Sequence, residues 1–538
     1  MTVTPGAAAG ARPLSAGQEA LWLAHQLDPD SSAYNVVLAV RLRGDLRVDV
    51  LQEALTALVA RHELLRSRFP GTDDGPVRRV DAPGSVRLDV RETPGADDAE
   101  LFRLATLAGE EPFRLTAGAF RAVLLRRSAT DTLLVTVTHH IVSDATSQWL
   151  LMRDLFTEYG SRTEEPAAER GPVAEPGPVA VSASAREPGP VAVSVSAGEP
   201  GSVAVSVSAR EPGPASAPGP GAVSVSACGS GPAPASGPVA GPASARESGQ
   251  VPRHGTVVGW DEQVRAERDF VGSGRGARAG AYWREVCAGL RAAVLPTDRP
   301  RPPHRTLRGA THEVGWHPET ARRLREAAAG RGLTPFAWLL GTFQAALHRS
   351  GCGDGFLIGC PATTRFTPDT RQAVGYYVNA LPTAARFTPA TTLLDTIGSA
   401  QDQLRRGLAH ARYPVELLGG GPLFRISCTL VAADRLPVEG LYEGPVRLGG
   451  LRAELVDVPQ QEGQLDLTVE ILQDSRGFKA VLRYRTDLFD AATVERFGET
   501  WRCLLDVSLD APDTAVSDVG LVAHDDLAFL LALGSGAA

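Results

Sequence analysis

The sequence predicts an α/β (α+β) protein built in two lobes, and three observations predict it. Amphipathic helix patterns and short apolar strand patterns alternate through the first 160 residues. The same mixture returns after residue 254 and runs through 255–538. Between them, residues 161–254 turn to Pro, Gly, Ala, Ser and Val, so two structured blocks of similar kind flank one unlike segment.

In the first block, "VDVLQEALTALVARHELLRSRF" carries Leu51, Ala54, Leu55, Leu58 and Val59 at helical spacing. The runs "FRAVLLRR" and "TLLVTVTHH" read as strands. "SDATSQWLLMRDL" reads as a helix, with Ser143 or Asp144 able to accept from its free N-terminal N–H groups. In the second block, "GAYWREVCAGL" and "PFAWLLGTFQAALHRS" read as helices. "GFLIGCPA", "LDLTVEIL" and "GFKAVLRYRTDLF" read as strands.

The intervening segment repeats with a period of twelve, its units starting at Glu175, Glu187, Glu199 and Glu211. A repeat suggests a solenoid first. These units lack large apolar side chains, however, so stacking them would bury little. A disordered, extensible linker over 161–254 is therefore expected. As a flexible coil it would span on the order of 55 Å.

Composition excludes several classes. The formal net charge is −8, against the basic surplus of a phosphate-backbone binder, so no nucleic acid is expected. No apolar run reaches the roughly 20 residues of a membrane helix. The opening "MTVTPGAAAGARPLSAGQ" has no charged leader followed by an apolar block, so a cytoplasmic protein is expected. Cys228, Cys287, Cys352, Cys360, Cys428 and Cys503 form no C-x-x-C pair, which points to reduced thiols rather than a metal site. Lys479 is the sole lysine.

The chemistry concentrates in "LLVTVTHHIVSDATSQWLL". Side chains alternate along a strand, so His139 shares a face with Leu133, Val135, Val137 and Ile141. That apolar company predicts a packed structural ring. His140 falls with Thr136 and Thr138 on the mixed face and is expected to meet a wet channel. Adjacent strand residues do not readily chelate one metal, so metal chemistry is not read here. The helix that follows would present backbone N–H groups and positive potential to a developing anion.

"HHIVSDA" resembles the H-H-x-x-x-D-G signature of nonribosomal peptide synthetase condensation domains, which belong to the chloramphenicol acetyltransferase-like superfamily. Further segments resemble that family in its order: "PLSAGQEALWLAHQLDPDSSAYN", "RHELLRSRF", "AYWREVCAGL", "LPTDRPRP", "VGYYVNALP", "HARYPVELL", "GPLFRISCTLV" and "LRYRTDLFD". Heterocyclisation domains replace the histidines with aspartates, and epimerisation domains differ after "VG", so the set sides with condensation. The departures are Ala145 for the signature's glycine, Ala20 for the first motif's arginine, Gly17 before its glutamine, and "HGTVVGW" for Y-x-D-F-A-x-W. After the asparagine, the usual L-P-L-R is Leu381, Pro382, Thr383 and Ala384.

The resemblance implies two acetyltransferase-like lobes forming a V-shaped pseudodimer with a central channel. Residues 1–160 would be the lobe carrying the signature and 255–538 the other. A carrier protein would deliver a donor on its phosphopantetheine arm, with no cofactor bound to the chain itself. The catalytic group implied is His139, His140, Asp144 and Ala145. His140 would handle the proton of an attacking amine, a role worth about 10²–10⁴ in rate. The Ala145 N–H would face the oxyanion, its methyl crowding the channel. Asp144 would be structural, paired with Arg66, and Arg61 would play a similar part. Asn379 would hydrogen-bond backbone across the lobes, Ser147 would line the channel or sit in the helix's first turn, and His410 and Tyr413 would shape the second lobe.

The function expected is amide formation between a carrier-tethered acyl or aminoacyl thioester and an amine. Ester formation with a small alcohol acceptor, a silent module that recruits carrier proteins, and a coenzyme A-dependent acyltransferase are the alternatives. No adenylation motif and no carrier G-G-x-S is found, so substrates would arrive on other proteins or as free molecules; a free-standing, monomeric enzyme is expected.

Overall fold

A computed structural model describes residues 10–83, 86–163, 259–302, 308–419, 422–460 and 463–521. In the first block the main elements are α1 (Ala16–Leu27), β1 (Asn35–Arg43), α2 (Val48–Arg61), β2 (Leu88–Glu92), α3 (Asp98–Glu110), β3 (Phe120–Ser128), β4 (Asp131–His139) and α4 (Ala145–Thr163). The second block begins with α5 (Trp260–Gly272), α6 (Gly274–Cys287), β5 (Gly309–Gly315), α7 (Pro318–Gly330) and α8 (Pro335–Leu347). It continues with β6 (Gly355–Thr363), β7 (Val378–Arg386), α9 (Leu393–Ala409), β8 (Ile426–Ala432), β9 (Val446–Leu448) and β10 (Leu451–Val456). It closes with β11 (Leu467–Gln473), β12 (Phe478–Arg485) and α10 (Ala491–Asp510).

Two six-stranded sheets organise these elements, in the orders β9-β10-β1-β4-β3-β2 and β7-β6-β8-β11-β12-β5. The first sheet departs from a division of the lobes at residue 254. Its edge pair β9–β10 comes from the second block, and Glu454 lies opposite Arg41 on β1. Distant strands can pair because the sheet edge reads backbone, not sequence position. The expected linker falls almost wholly outside the described residues. Its first three, 161–163, are the last turn of α4.

β4 is the centre of the first sheet, paired antiparallel with β1 (Asn35 opposite His139) and with β3 (Phe120 opposite Thr138). Both of its faces are covered, and Thr132 to His139 are all buried. Leu133, Val135 and Val137 join Leu101 and Ala105 of α3 in one core, while Leu134 joins Leu55 of α2 and Leu155 of α4 in another. Burying a Leu or Val side chain in this way contributes about 1.5–3 kcal/mol each. The polar positions of the second face are therefore not a channel wall. Gln148 of α4 covers them, its Nε2 donating to Thr138 Oγ1 and its Oε1 3.5 Å from Thr136 Oγ1. Thr138 Oγ1 also meets Ser143 Oγ. A polar strand face is satisfied as well by a buried amide as by water.

In the second lobe α8 is buried nearly all round, which its run of apolar residues requires. Thr334 Oγ1 accepts from Ala337 N–H at its start, and Pro335 occupies the first helical position, where no N–H partner is needed. Trp338 of α8 and Trp501 of α10 place their indole N–H groups on Ser508 Oγ at 2.7 Å and Thr342 Oγ1 at 3.2 Å. The described cysteines are free, and burial pushes the thiols of Cys352 and Cys360 up to about 12, which keeps them unreactive. Among the described residues, no helix is long and apolar enough to cross a membrane.

Candidate active site

The two histidines part company where β4 ends. His139 is its last residue and is 1% exposed. Its ring sits among those of His25, Tyr34 and Phe113, with centroids 5.5, 6.1 and 6.4 Å away. Its Nδ1 accepts the Ile141 N–H at 3.1 Å. Burial, with the neighbouring His25 and His140 adding to it, drives its pKa well below the ordinary histidine value. This ring is a neutral strut.

His140 does not continue the strand. It opens a 3-10 turn, His140–Val142, so turn geometry rather than strand alternation directs its side chain. The Tyr34 carbonyl accepts its N–H at 2.7 Å. Its Nδ1 lies 2.7 Å from the Ser143 carbonyl oxygen. A carbonyl only accepts, so Nδ1 carries the hydrogen and Nε2 keeps a free lone pair. Burial lowers the pKa, outweighing the Ser143 bond and the Asp144 charge that favour the cation. The residue is nonetheless partly exposed. A neutral imidazole with an accessible basic nitrogen results.

Asp144 precedes α4 and caps it, its Oδ1 accepting the Ser147 N–H at 2.8 Å. Its salt-bridge partner is Arg365, not Arg66. Arg365 Nη2 is 3.0 Å from Oδ1, Nη1 meets Oδ2, and the Tyr377 N–H donates to Oδ2 at 3.0 Å. Arg66 instead reaches the Val59 carbonyl at 3.3 Å and the Asp81 carbonyl. It sits in the short turn Glu63–Arg66 after α2, where backbone oxygens are nearer than α4. Burial pushes the Asp144 carboxyl up, but the Arg365 charge and hydrogen bonds prevail and hold it below the usual aspartate range. No carboxylate oxygen is left to orient His140.

The remaining expected residues are placed as follows. Arg61 Nε lies 3.7 Å from Asp154 of α4, whose Oδ2 also meets His62 Nε2 at 3.1 Å. Arg61 therefore serves the α2–α4 packing. Ser147 is buried in the first turn of α4. Its Oγ donates to the Gly375 carbonyl at 2.9 Å and accepts from Gly375 N–H at 3.0 Å and Arg365 Nη2 at 2.8 Å. Asn379 works within the second block rather than across lobes, its Nδ2 donating to the carbonyls of Ala411 at 2.8 Å and Tyr413 at 2.7 Å. Tyr413 packs with Trp283 and Leu381. His410 stacks on Tyr282 at 4.1 Å. Ala145 is exposed, so its methyl meets open space rather than crowding a wall. It is the first residue of α4, where a backbone N–H has no intrahelical acceptor.

Four contributors were not assigned roles from the sequence. Gln18 is fully buried and donates to the Ile141 carbonyl at 2.8 Å, which ties the histidine turn to α1. Its Oε1 accepts from Ser15 N–H at 3.2 Å and from Trp260 Nε1 at 2.8 Å. The spacing Ser15-x-x-Gln18 is a capping-box pattern and was available as a signal. Trp260 closes "HGTVVGW", the counterpart of the family's Y-x-D-F-A-x-W, whereas Arg365 carried no local signal. Tyr376 stands edge-on to His140, with ring centroids 5.2 Å apart and planes at 84°.

The sequence matches the family model described as Condensation domain over residues 8–174 and 245–531. The chain belongs to the condensation domain family. Condensation domains are acyltransferases that form amide bonds in nonribosomal peptide synthesis and work with carrier protein domains. This condensation domain is 26% identical over 535 residues to one of the linear gramicidin synthase proteins of Brevibacillus parabrevis, covering 96% of this chain and 9% of that synthase. It is 25% identical over 538 residues to the phosphinothricin tripeptide synthetase PhsC of Streptomyces viridochromogenes, covering 97% and 41%. The chain thus spans less than half the length of either relative. Among solved structures it resembles the X-domain from teicoplanin biosynthesis, with a TM-score of 0.72, 20% identity and coverage of 97% and 99%. It also resembles the first condensation domain of the CDA synthetase, with a TM-score of 0.66, 20% identity and coverage of 96% and 100%. The two-sheet condensation domain is therefore of the chloramphenicol acetyltransferase-like type.

Proposed function

We propose that this condensation domain joins an acyl or aminoacyl thioester, presented on the phosphopantetheine arm of a carrier protein, to an amine. The observation that carries the reading is the His140 Nδ1 to Ser143 carbonyl hydrogen bond at 2.7 Å, which leaves Nε2 as the free basic nitrogen of a neutral ring. An α-amine has a pKa near 8 and is mostly protonated at neutral pH. The ammonium first releases its proton to solvent, and His140 Nε2 holds the free amine in line. The amine nitrogen then bonds to the thioester carbonyl carbon and gives its surplus proton to His140 Nε2, which becomes imidazolium, while the oxygen takes the negative charge. The Ala145 N–H, at the positive end of α4, faces that oxygen. Collapse restores the carbonyl, breaks the C–S bond and returns a proton from the imidazolium to the departing thiolate. Asp144 shapes the turn through Arg365 and takes no proton.

The test is a reconstitution by mass spectrometry with acyl-loaded carrier proteins and a panel of amines and alcohols. Amide product that requires the holo carrier is expected. Product from coenzyme A thioesters alone, ester product alone, or no product under any pairing overturns the reading.

A further inference from the structure

Tyr376 touches both His140 and a neighbouring cavity. On one side its ring stands edge-on to the His140 imidazole. On the other it lines a cavity with Gly17, Trp260, Glu267, Asn379, Arg412 and Glu416, which His140 itself does not line. The ring is seated in a notch that only glycine leaves open. A Cβ on Gly17 would lie 2.5 Å from Tyr376 Cε1, far inside van der Waals contact. The sequence thus supplies both halves of the arrangement: a tyrosine before Tyr377 in "VGYYVN" and a glycine where the first motif otherwise has alanine.

The cavity carries the carboxylates of Glu267 and Glu416 against the single guanidinium of Arg412. Burial raises the carboxyl of Glu267, and the neighbouring Glu416 charge adds to that rise. A cation entering here relieves that repulsion, whereas a neutral thioester does not.

We infer that Tyr376 is the specificity-determining residue that separates this cavity from His140, and that the cavity admits an amine acceptor whose reacting end is slim, a primary amine on an unbranched carbon. The inference rests on the proposed condensation activity for its substrate class but not for its geometry. Edge-on at 5.2 Å between centroids, the Tyr376 ring stands directly against the imidazole, so a group that reaches His140 from the cavity must pass this ring and be narrow there. Replacing the ring with a small side chain would open the cavity toward His140.

Two measurements on the full chain test this. The first needs no substrate. Carbethoxylation of His140 by diethyl pyrocarbonate attacks an unprotonated ring nitrogen and is followed by peptide mass spectrometry. Tyr376→Ala, and Tyr376→Leu as the variant that retains apolar bulk for folding, should modify His140 several-fold faster than the parent, with Tyr376→Phe unchanged. Equal rates in folded Ala and Leu variants overturn the separation. The second compares amines branched and unbranched next to the nitrogen, and acyl donors varied in the same way. Tyr376→Ala should shift kcat/KM toward branched amines by about tenfold or more. A shift confined to the donor series overturns the assignment to the acceptor, and no shift in either series overturns the specificity role. Absence of product in the parent chain counts against the condensation activity, while the modification rates still decide the geometry.

Discussion

Asp144 and Arg365, 221 residues apart in the chain, form a two-point ion pair with side chains 1% and 4% exposed. The pair joins the start of α4 to the segment after β6, so the turn that carries His140 is held by both halves of the molecule. Arg365 also lies over the Tyr377 ring, 4.4 Å from its centroid, and donates to the Ala373 carbonyl at 3.1 Å.

Removing one partner leaves the other charge buried and unpaired. Asp144→Ala or Arg365→Ala is expected to cost about 3–5 kcal/mol in chemical denaturation. The double variant should cost less than the sum of the two, since no orphan charge remains. Additive losses would mean that the two side chains do not interact.

The histidines separate by function. His140→Ala should lower product formation by about 10²–10⁴-fold while the denaturation midpoint stays near that of the parent. His139→Ala should do the reverse in emphasis, lowering stability first, because it empties a site ringed by His25, Tyr34 and Phe113. Normal turnover in the His140 variant would remove that ring from the reaction.

The tautomer can be read directly. At pH 7 the nitrogen spectrum of His140 should show a protonated Nδ1 and an unprotonated Nε2. The opposite assignment would deprive the acceptor of its base.

Stability should decline on the acid side in two stages. Burial comes first among the causes that lower the pKa values of His25, His62, His139 and His140 in the folded chain. The unfolded chain therefore takes up protons near pH 6.5 before the folded one does. That contribution is complete above pH 6.5 and is lost as pH falls through the lowered folded values. Asp144 acts later: its stabilisation is present above about pH 3.9 and lost as pH falls through its depressed folded pKa. Unfolding free energies that stay flat from pH 7 to pH 5 would contradict the first stage.

Arg78 is fully buried between Glu63 at 2.9 Å and Asp261 of α5, and Arg12 reaches the same two carboxylates at 3.1 and 2.6 Å. This cluster fastens the chain that follows residue 259 to the first lobe. Because both carboxylates are a quarter to a third exposed, Arg78→Met should cost about 2 kcal/mol rather than the full price of a buried pair. An unchanged melting temperature would show the cluster to be dispensable.

Residues whose effect is local were legible in advance. The period of two in "LLVTVTH" gave β4 and a packed His139, because a strand sorts its side chains by parity alone. The 3.6 spacing of Leu51, Leu55 and Leu58 gave α2 for the equivalent helical reason. The ordered motifs gave the family. What depended on distant chain could not be read this way. Arg66 and Arg365 are the same residue type, and nothing near either one says which guanidinium reaches Asp144. That was decided when β6 and β7 brought residues 365 and 377 against the start of α4. The covering of the Thr136 and Thr138 face by Gln148, the seat of Tyr376 on Gly17, and the return of β9–β10 to the first sheet belong to the same class. Periodicity is a property of one element and survives in the sequence. A contact between elements is a property of how they pack, and only the assembled structure holds it.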